Sequence, residues 1–91
     1  MSSYRIAETK SFRKMIEKNH ELRKRYAKLT DYVYPLLRES PTFGPNRKRL
    51  TGEFSDFYRF RIGDYRLFYT VDESEQIVFI VALRHRKNAY R

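Results

Sequence analysis

The chain has 91 residues, with 20 Lys and Arg against 11 Asp and Glu, for a formal charge of +9. That length fits one domain, 1–91, with a single core, and its 8 Tyr and 7 Phe exclude a disordered basic tail. The absence of cysteine excludes disulfide scaffolds, zinc knuckles and thiol nucleophiles.

Tyr4 to Ala7 is a short strand candidate. From Glu8, Phe12, Met15 and Ile16 recur at helical spacing, with Thr9 or Ser11 placed to cap the helix. Asn19-His20 reads as a break with Asn as a left-handed cap. Leu22, Tyr26, Leu29, Val33 and Leu36 then mark a second, longer helix that ends before Pro41. Ser40 to Gly52, with Arg47, Lys48 and Arg49 among prolines and glycines, reads as a basic loop.

The last third is strand-forming. Phe57 to Ile62 alternates, Tyr65 to Val71 is aromatic and branched, and the apolar run Ile77 to Leu83 reads as a strand buried on both faces. Gly63-Asp64 forms a two-residue hairpin loop of type II′, and Asp72 to Glu75 the next turn. The order is β-α-α-β-β-β, an α+β fold with a two-helix hairpin packed on a small antiparallel-rich sheet.

The hairpin loop fixes a register. Ile62 opposes Tyr65, Arg61 opposes Arg66, Phe60 opposes Leu67, Arg59 opposes Phe68 and Tyr58 opposes Tyr69. One face is then core, and the other carries Arg59, Arg61, Arg66, Phe57 and Phe68. Like charges directly opposite cost a few tenths to ~1 kcal/mol. Either these arginines are solvated or paired with Asp56, Asp64 or helix acids, or they form a phosphate-binding surface with rings for base stacking. Arg47, Lys48, Arg49, Arg84, Arg86, Lys87 and Arg91 extend that surface.

His20 falls in the helix–helix turn. His85 lies between Arg84 and Arg86, a cationic setting that favours the neutral imidazole a general base needs. No carboxylate cluster suggests a metal, and no metal or cofactor is expected. No apolar run reaches the ~18 residues of a membrane span, and no signal-peptide core follows Met1. No membrane association and a cytoplasmic location are therefore expected.

Leu50-Thr51-Gly52, the stretch Tyr58 to Tyr69 with its Gly-Asp-Tyr-Arg hairpin, and the ending Arg84 to Arg91 together resemble the RelE/ParE toxin superfamily. The resemblance implies the toxin of a type II toxin–antitoxin pair. For RelE-like members it implies a metal-independent, ribosome-dependent endonuclease that cuts mRNA in the A site by attack of a ribose 2′-OH. The implied site residues are Arg59 and Arg61 on the basic strand, Arg66 and Arg86 as charge stabilisers, and Tyr90 as the ring that stacks on or orients a base.

Some relatives carry lysines where this chain has Arg59 and Arg61, and arginine is a poor base. Others use a carboxylate before the hairpin, where Glu53 is the near candidate. The proton acceptor is thus open among His85, Tyr90 and a ribosomal group. Two alternatives stand beside the nuclease: a ParE-like poison of DNA gyrase, and a non-catalytic RNA-binding module. The charge also implies a cognate antitoxin with an acidic, partly disordered, helix-forming segment, for which the helix pair is a docking surface. The ribosome and mRNA complete the expected partners.

Overall fold

The computed structural model describes residues 3–89. Strand β1 (Arg5–Glu8) leads into helix α1 (Lys10–Lys18), capped by Thr9, whose Oγ1 accepts the Phe12 N–H. Asn19 separates α1 from α2 (His20–Lys28) as expected, but by a different device. It is extended, with φ −124° and ψ 110°, and its Oδ1 accepts the Leu22 N–H, so it acts as the N-cap of α2 and not as a left-handed stop.

The long second helix is interrupted inside. After α2 the chain makes a π-helical turn, Leu29–Val33, in which the Tyr34 N–H reaches Leu29 O, and then continues as α3 (Tyr34–Glu39). Pro35 sits at the start of α3. It has no N–H to offer the preceding turn, and the widened turn accommodates that loss.

Five strands form one sheet in the order β1-β5-β4-β3-β2. The basic loop contains an unexpected edge strand, β2 (Arg47–Arg49), antiparallel to β3 (Tyr58–Ile62). Three consecutive cations carry no apolar alternation, so the sequence hides this strand, while its charges suit an edge that must not recruit another chain. β4 (Tyr65–Asp72) pairs antiparallel with β3 and with β5 (Ile77–His85), and β1 pairs parallel with β5. The expected β3–β4 register is the observed one at all five pairs. Gly63 has φ +56° while Asp64 is not left-handed, the signature of a II′ loop.

The helices cover one face of the sheet. Phe12, Leu22, Leu29, Val33, Tyr34 and Leu37 pack onto Phe60, Ile62, Leu67, Tyr69, Val78, Ile80 and Leu83. Tyr69 is fully buried, and its hydroxyl donates to Pro41 O at 2.6 Å. At the edge of this core, Glu8 Oε2 accepts from Tyr26 Oη (2.7 Å) and Tyr34 Oη (2.8 Å), tying β1 to both halves of the long helix.

That carboxylate has a consequence for alkaline stability. Its hydrogen bond raises the Tyr26 hydroxyl to about 12, and burial together with the same carboxylate raises Tyr34 further. Tyrosines of the unfolded chain ionise near 10. The raised groups therefore contribute stability in full below pH 10, and that contribution is lost as pH rises above 10, at up to ~1.4 kcal/mol per pH unit for the buried Tyr34 and less for the more exposed, solvent-screened Tyr26. In urea titrations from pH 8 to 11.5, Tyr34→Phe is expected to be flatter above pH 10 than the parent. Parallel curves would show that the Tyr34 proton does not matter.

Candidate nucleic-acid interface

The face away from the helices is built by register. Arg61 opposes Arg66 across β3–β4, and Arg66 opposes Arg84 across β4–β5, so three arginines form one row over three neighbouring strands. Strands lie about 4.8 Å apart, which sets the spacing of the row. A second row runs Lys48, Arg59, Phe68, Ala82.

Arg84 reaches this face only because β5 is irregular. Tyr69 pairs with Ile80 but Phe68 pairs with Ala82, leaving Val81 as the extra residue of a β-bulge. Strict alternation from the buried Val78 and Ile80 would turn Ala82 and Arg84 into the core. The bulge puts Val81 and Ala82 together on the outer side, returns Leu83 to the core and turns Arg84 outward. The run Ile77 to Leu83 is accordingly not buried on both faces: Val78, Ile80, Ala82 and Leu83 are buried, while Ile77, Phe79 and Val81 are only partly covered. An arginine arriving on the core parity was the signal in the sequence that such an irregularity must occur.

The arginines differ in how they are held. Arg66 Nη1 donates to Gly63 O (3.0 Å) and Tyr65 O (3.1 Å), so the hairpin loop orients its guanidinium. Arg59 Nη1 donates to Asn46 O at 3.2 Å. Arg86, in the 3-10 turn Arg86–Asn88, is bound to the same hairpin loop as Arg66. Its N–H donates to Asp64 O (2.7 Å) and its Nε lies 3.6 Å from Asp64 Oδ1. Among the described residues Arg61 and Arg84 have no carboxylate partner, and both are exposed. Of Arg61, Arg84 and Arg86, Arg86 is the one paired with a described acid.

Other expected site residues are dispersed. Arg47 and Arg49 lie on the helix side of the edge strand, their guanidinium carbons 5.3 Å from the centre of the Phe60 ring and 5.9 Å from that of Tyr58. His85 opposes Tyr65, meets its ring edge-on at 5.3 Å, and accepts the Lys87 N–H at Nδ1. It therefore sits on the helix side, turned from the arginine rows, while Lys87 is exposed in the turn that follows. Phe68 is only 6% exposed and forms a floor, not a ring open for stacking, and Phe57 is half-buried beside it. Tyr90 and Arg91 lie outside the described residues.

Sequence reasoning missed a slot on this face. Leu50, Phe54, Phe57, Phe68, Val81, Ala82, Arg84 and Ala89 line an apolar cavity of about 190 Å³. Among the described residues no three His, Asp or Glu side chains are grouped to hold a metal, and no helix is long and apolar enough to cross a membrane.

Across 97% of each chain the structure is similar to the toxin–antitoxin complex RelBE2 from Mycobacterium tuberculosis, with TM-score 0.78 and 25% identity. It is also similar to the archaeal RelE–RelB complex from Pyrococcus horikoshii, with TM-score 0.61 and 26% identity over 96% of this chain and 99% of that one. A YoeB/ParE toxin from Agrobacterium tumefaciens shares the fold at TM-score 0.71 and 18% identity, over 89% and 96%. No curated protein matches the chain in sequence. Residues 6–90 match the family described as "ParE toxin of type II toxin-antitoxin system, parDE". With that match spanning nearly the whole chain, and with RelE-like toxins sharing its fold, the chain belongs to the ParE toxin family, within the RelE/ParE superfamily, and is the toxin of a type II toxin–antitoxin system.

Proposed function

We propose that this toxin is a ribosome-dependent endoribonuclease that cleaves mRNA by attack of a ribose 2′-OH on the adjacent phosphate. The observation that carries the reading is the in-register row Arg61–Arg66–Arg84, kept despite like-charge repulsion and with no acid beside Arg61 or Arg84. A phosphate brought to this row is met by guanidinium groups, one of them already oriented by Gly63 O and Tyr65 O.

In the reaction the 2′-oxygen gives up its proton and bonds to phosphorus, the bond to the 5′-oxygen breaks, that oxygen takes a proton from solvent water, and the products are a 2′,3′-cyclic phosphate and a 5′-hydroxyl. Arg66 stabilises the charge that develops on the phosphorane, and Arg86, tied through Asp64 to the hairpin loop that orients Arg66, is the second guanidinium assigned to that charge. Arginine cannot accept the 2′-OH proton, and His85 faces the other way. The described part of the protein thus supplies positioning and charge, and the proton acceptor is Tyr90 or a ribosomal group.

The ParE family match favours a second reading, a gyrase poison without nuclease activity. One experiment separates them. Purified toxin is expected to cut mRNA on programmed ribosomes, to spare the same RNA free in solution, and to leave gyrase supercoiling unaffected. A 2′-deoxy substitution at the scissile nucleotide should stop cleavage. Intact mRNA with inhibited gyrase would establish the second reading instead. In either case the +9 chain needs neutralising, and the complexes formed by the M. tuberculosis and P. horikoshii relatives support an acidic cognate antitoxin as its partner.

A further inference from the structure

The slot on the arginine face has a built architecture. Its floor is Phe68 with Val81 and Ala82, the two residues that the β5 bulge brings side by side. One wall comes from the β2–β3 connection, where the Leu50 N–H donates to Phe57 O and the Phe57 N–H donates to Phe54 O, both at 2.9 Å. These bonds hold the Leu50, Phe54 and Phe57 side chains over the floor. Ala89 closes the far side, and Arg84 of the guanidinium row stands on the rim.

A cavity of about 190 Å³ is smaller than the ~300–1,000 Å³ of drug-sized sites and suits one planar ring system. Its rim is cationic while its lining is apolar and aromatic. A nucleotide has the matching division, an anionic phosphate beside a flat ring whose faces stack. An alanine on the floor leaves the depth for a ring, and Phe54, 41% exposed at the wall of the slot, offers a face on which that ring stacks.

We infer that the slot formed by Phe54, Phe57, Phe68, Val81 and Ala82 holds one unstacked nucleobase of the RNA whose phosphates lie along the Arg61–Arg66–Arg84 row. The slot is then a specificity element, because its depth at Ala82 limits which base enters. The inference rests on the RNA-cleaving function proposed above.

The test uses a short single-stranded oligoribonucleotide, 2′-O-methylated so that it cannot be cut, and the same strand with an abasic residue stepped through each position. The wild-type protein is expected to bind the intact strand about tenfold more tightly than the strand abasic at one position. 2-Aminopurine placed there should be quenched on binding. Ala82→Leu fills the slot and should erase the tenfold difference while leaving abasic-strand affinity and its salt dependence in place, since the phosphate contacts remain. Phe54→Ala, on the exposed wall, should erase it too, and serves as the test if Ala82→Leu does not fold.

If every abasic strand binds as well as the intact one, the slot takes no base and the inference is overturned. Wild-type RNA binding by both variants would also overturn it and assign the slot to an apolar side chain of a protein partner. If Arg61→Ala and Arg84→Ala leave RNA binding and its salt dependence unchanged, the proposed function itself fails, and the base slot with it.

Discussion

Arg66→Ala is expected to lower single-turnover cleavage on programmed ribosomes by roughly 10²–10³, about 3–4 kcal/mol of barrier, the loss typical for one preorganised donor to a developing oxyanion. The magnitude follows from position. Arg66 is the middle member of its row, and two backbone carbonyls of the hairpin loop fix its guanidinium before any substrate arrives. Arg66→Lys should recover little, because a single ammonium cannot both hold those carbonyls and present a planar fork to phosphate. Stability should move by less than about 1 kcal/mol. The hydrogen bonds lost on removing Arg66, those to Gly63 O and Tyr65 O among them, are opposed by relief of repulsion from Arg61 and Arg84. A variant that melts like the parent yet cuts like the parent would remove Arg66 from the chemistry.

The largest effect on stability is expected at Glu8. One oxygen of this carboxylate accepts both the Tyr26 and Tyr34 hydroxyls, and Tyr34 is only 4% exposed. Glu8→Ala leaves at least the Tyr34 hydroxyl without a partner beneath the helix, at a cost of about 2–4 kcal/mol. For a chain of 91 residues that corresponds to a fall in Tm of roughly 10–25 °C. Glu8→Gln keeps an acceptor and should lose about half as much. Adding Tyr34→Phe to Glu8→Ala should cost less than the sum of the two single changes, because they remove the same bond. A Glu8→Ala melt within 2 °C of the parent would contradict the assignment. Cleavage should be unaffected at a temperature where the variant is folded, since Glu8 is on the helix side of the sheet.

The hairpin was legible because Gly63 and Asp64 leave one two-residue loop to choose, and a loop of fixed length fixes every cross-strand pair. Arg59, Arg61 and Arg66 followed from that register onto one face. Arg84 joined them as a tail residue only, because an unbroken apolar run carries no parity of its own, and an arginine on the core parity marks the bulge only once Val78 and Ile80 are known to face the core. The same run hid Ala82 as a floor residue, and with it the slot. Phe68 was placed on the correct face, but its burial depends on Leu50, Phe54 and Phe57 folding over it from a loop of no regular pattern.

Elsewhere local chemistry was read correctly in place and wrongly in kind. Asn19 does divide the helices, yet by accepting a backbone N–H in an extended conformation. Pro35 lies within a helical pattern that the spacing of Leu29, Val33 and Leu36 supports, and a π turn reconciles the two. Glu8 looked like the start of a helix, when its role is set by two tyrosines distant in sequence. The Asn19 cap and the turn before Pro35 are local choices between alternatives the same residues allow, whereas the role of Glu8 depends on tertiary partners that a window of sequence does not contain.

The central claim, cleavage of mRNA on the ribosome by the arginine face, is tested most directly by primer extension on mRNA from cells expressing the toxin or its Arg66→Ala variant. Cuts at fixed positions within codons of translated mRNA, present with the parent and lost with Arg66→Ala at equal protein level, are the predicted result. Uncut mRNA accompanied by DNA damage, or codon-positioned cuts that persist undiminished in Arg66→Ala, would contradict it.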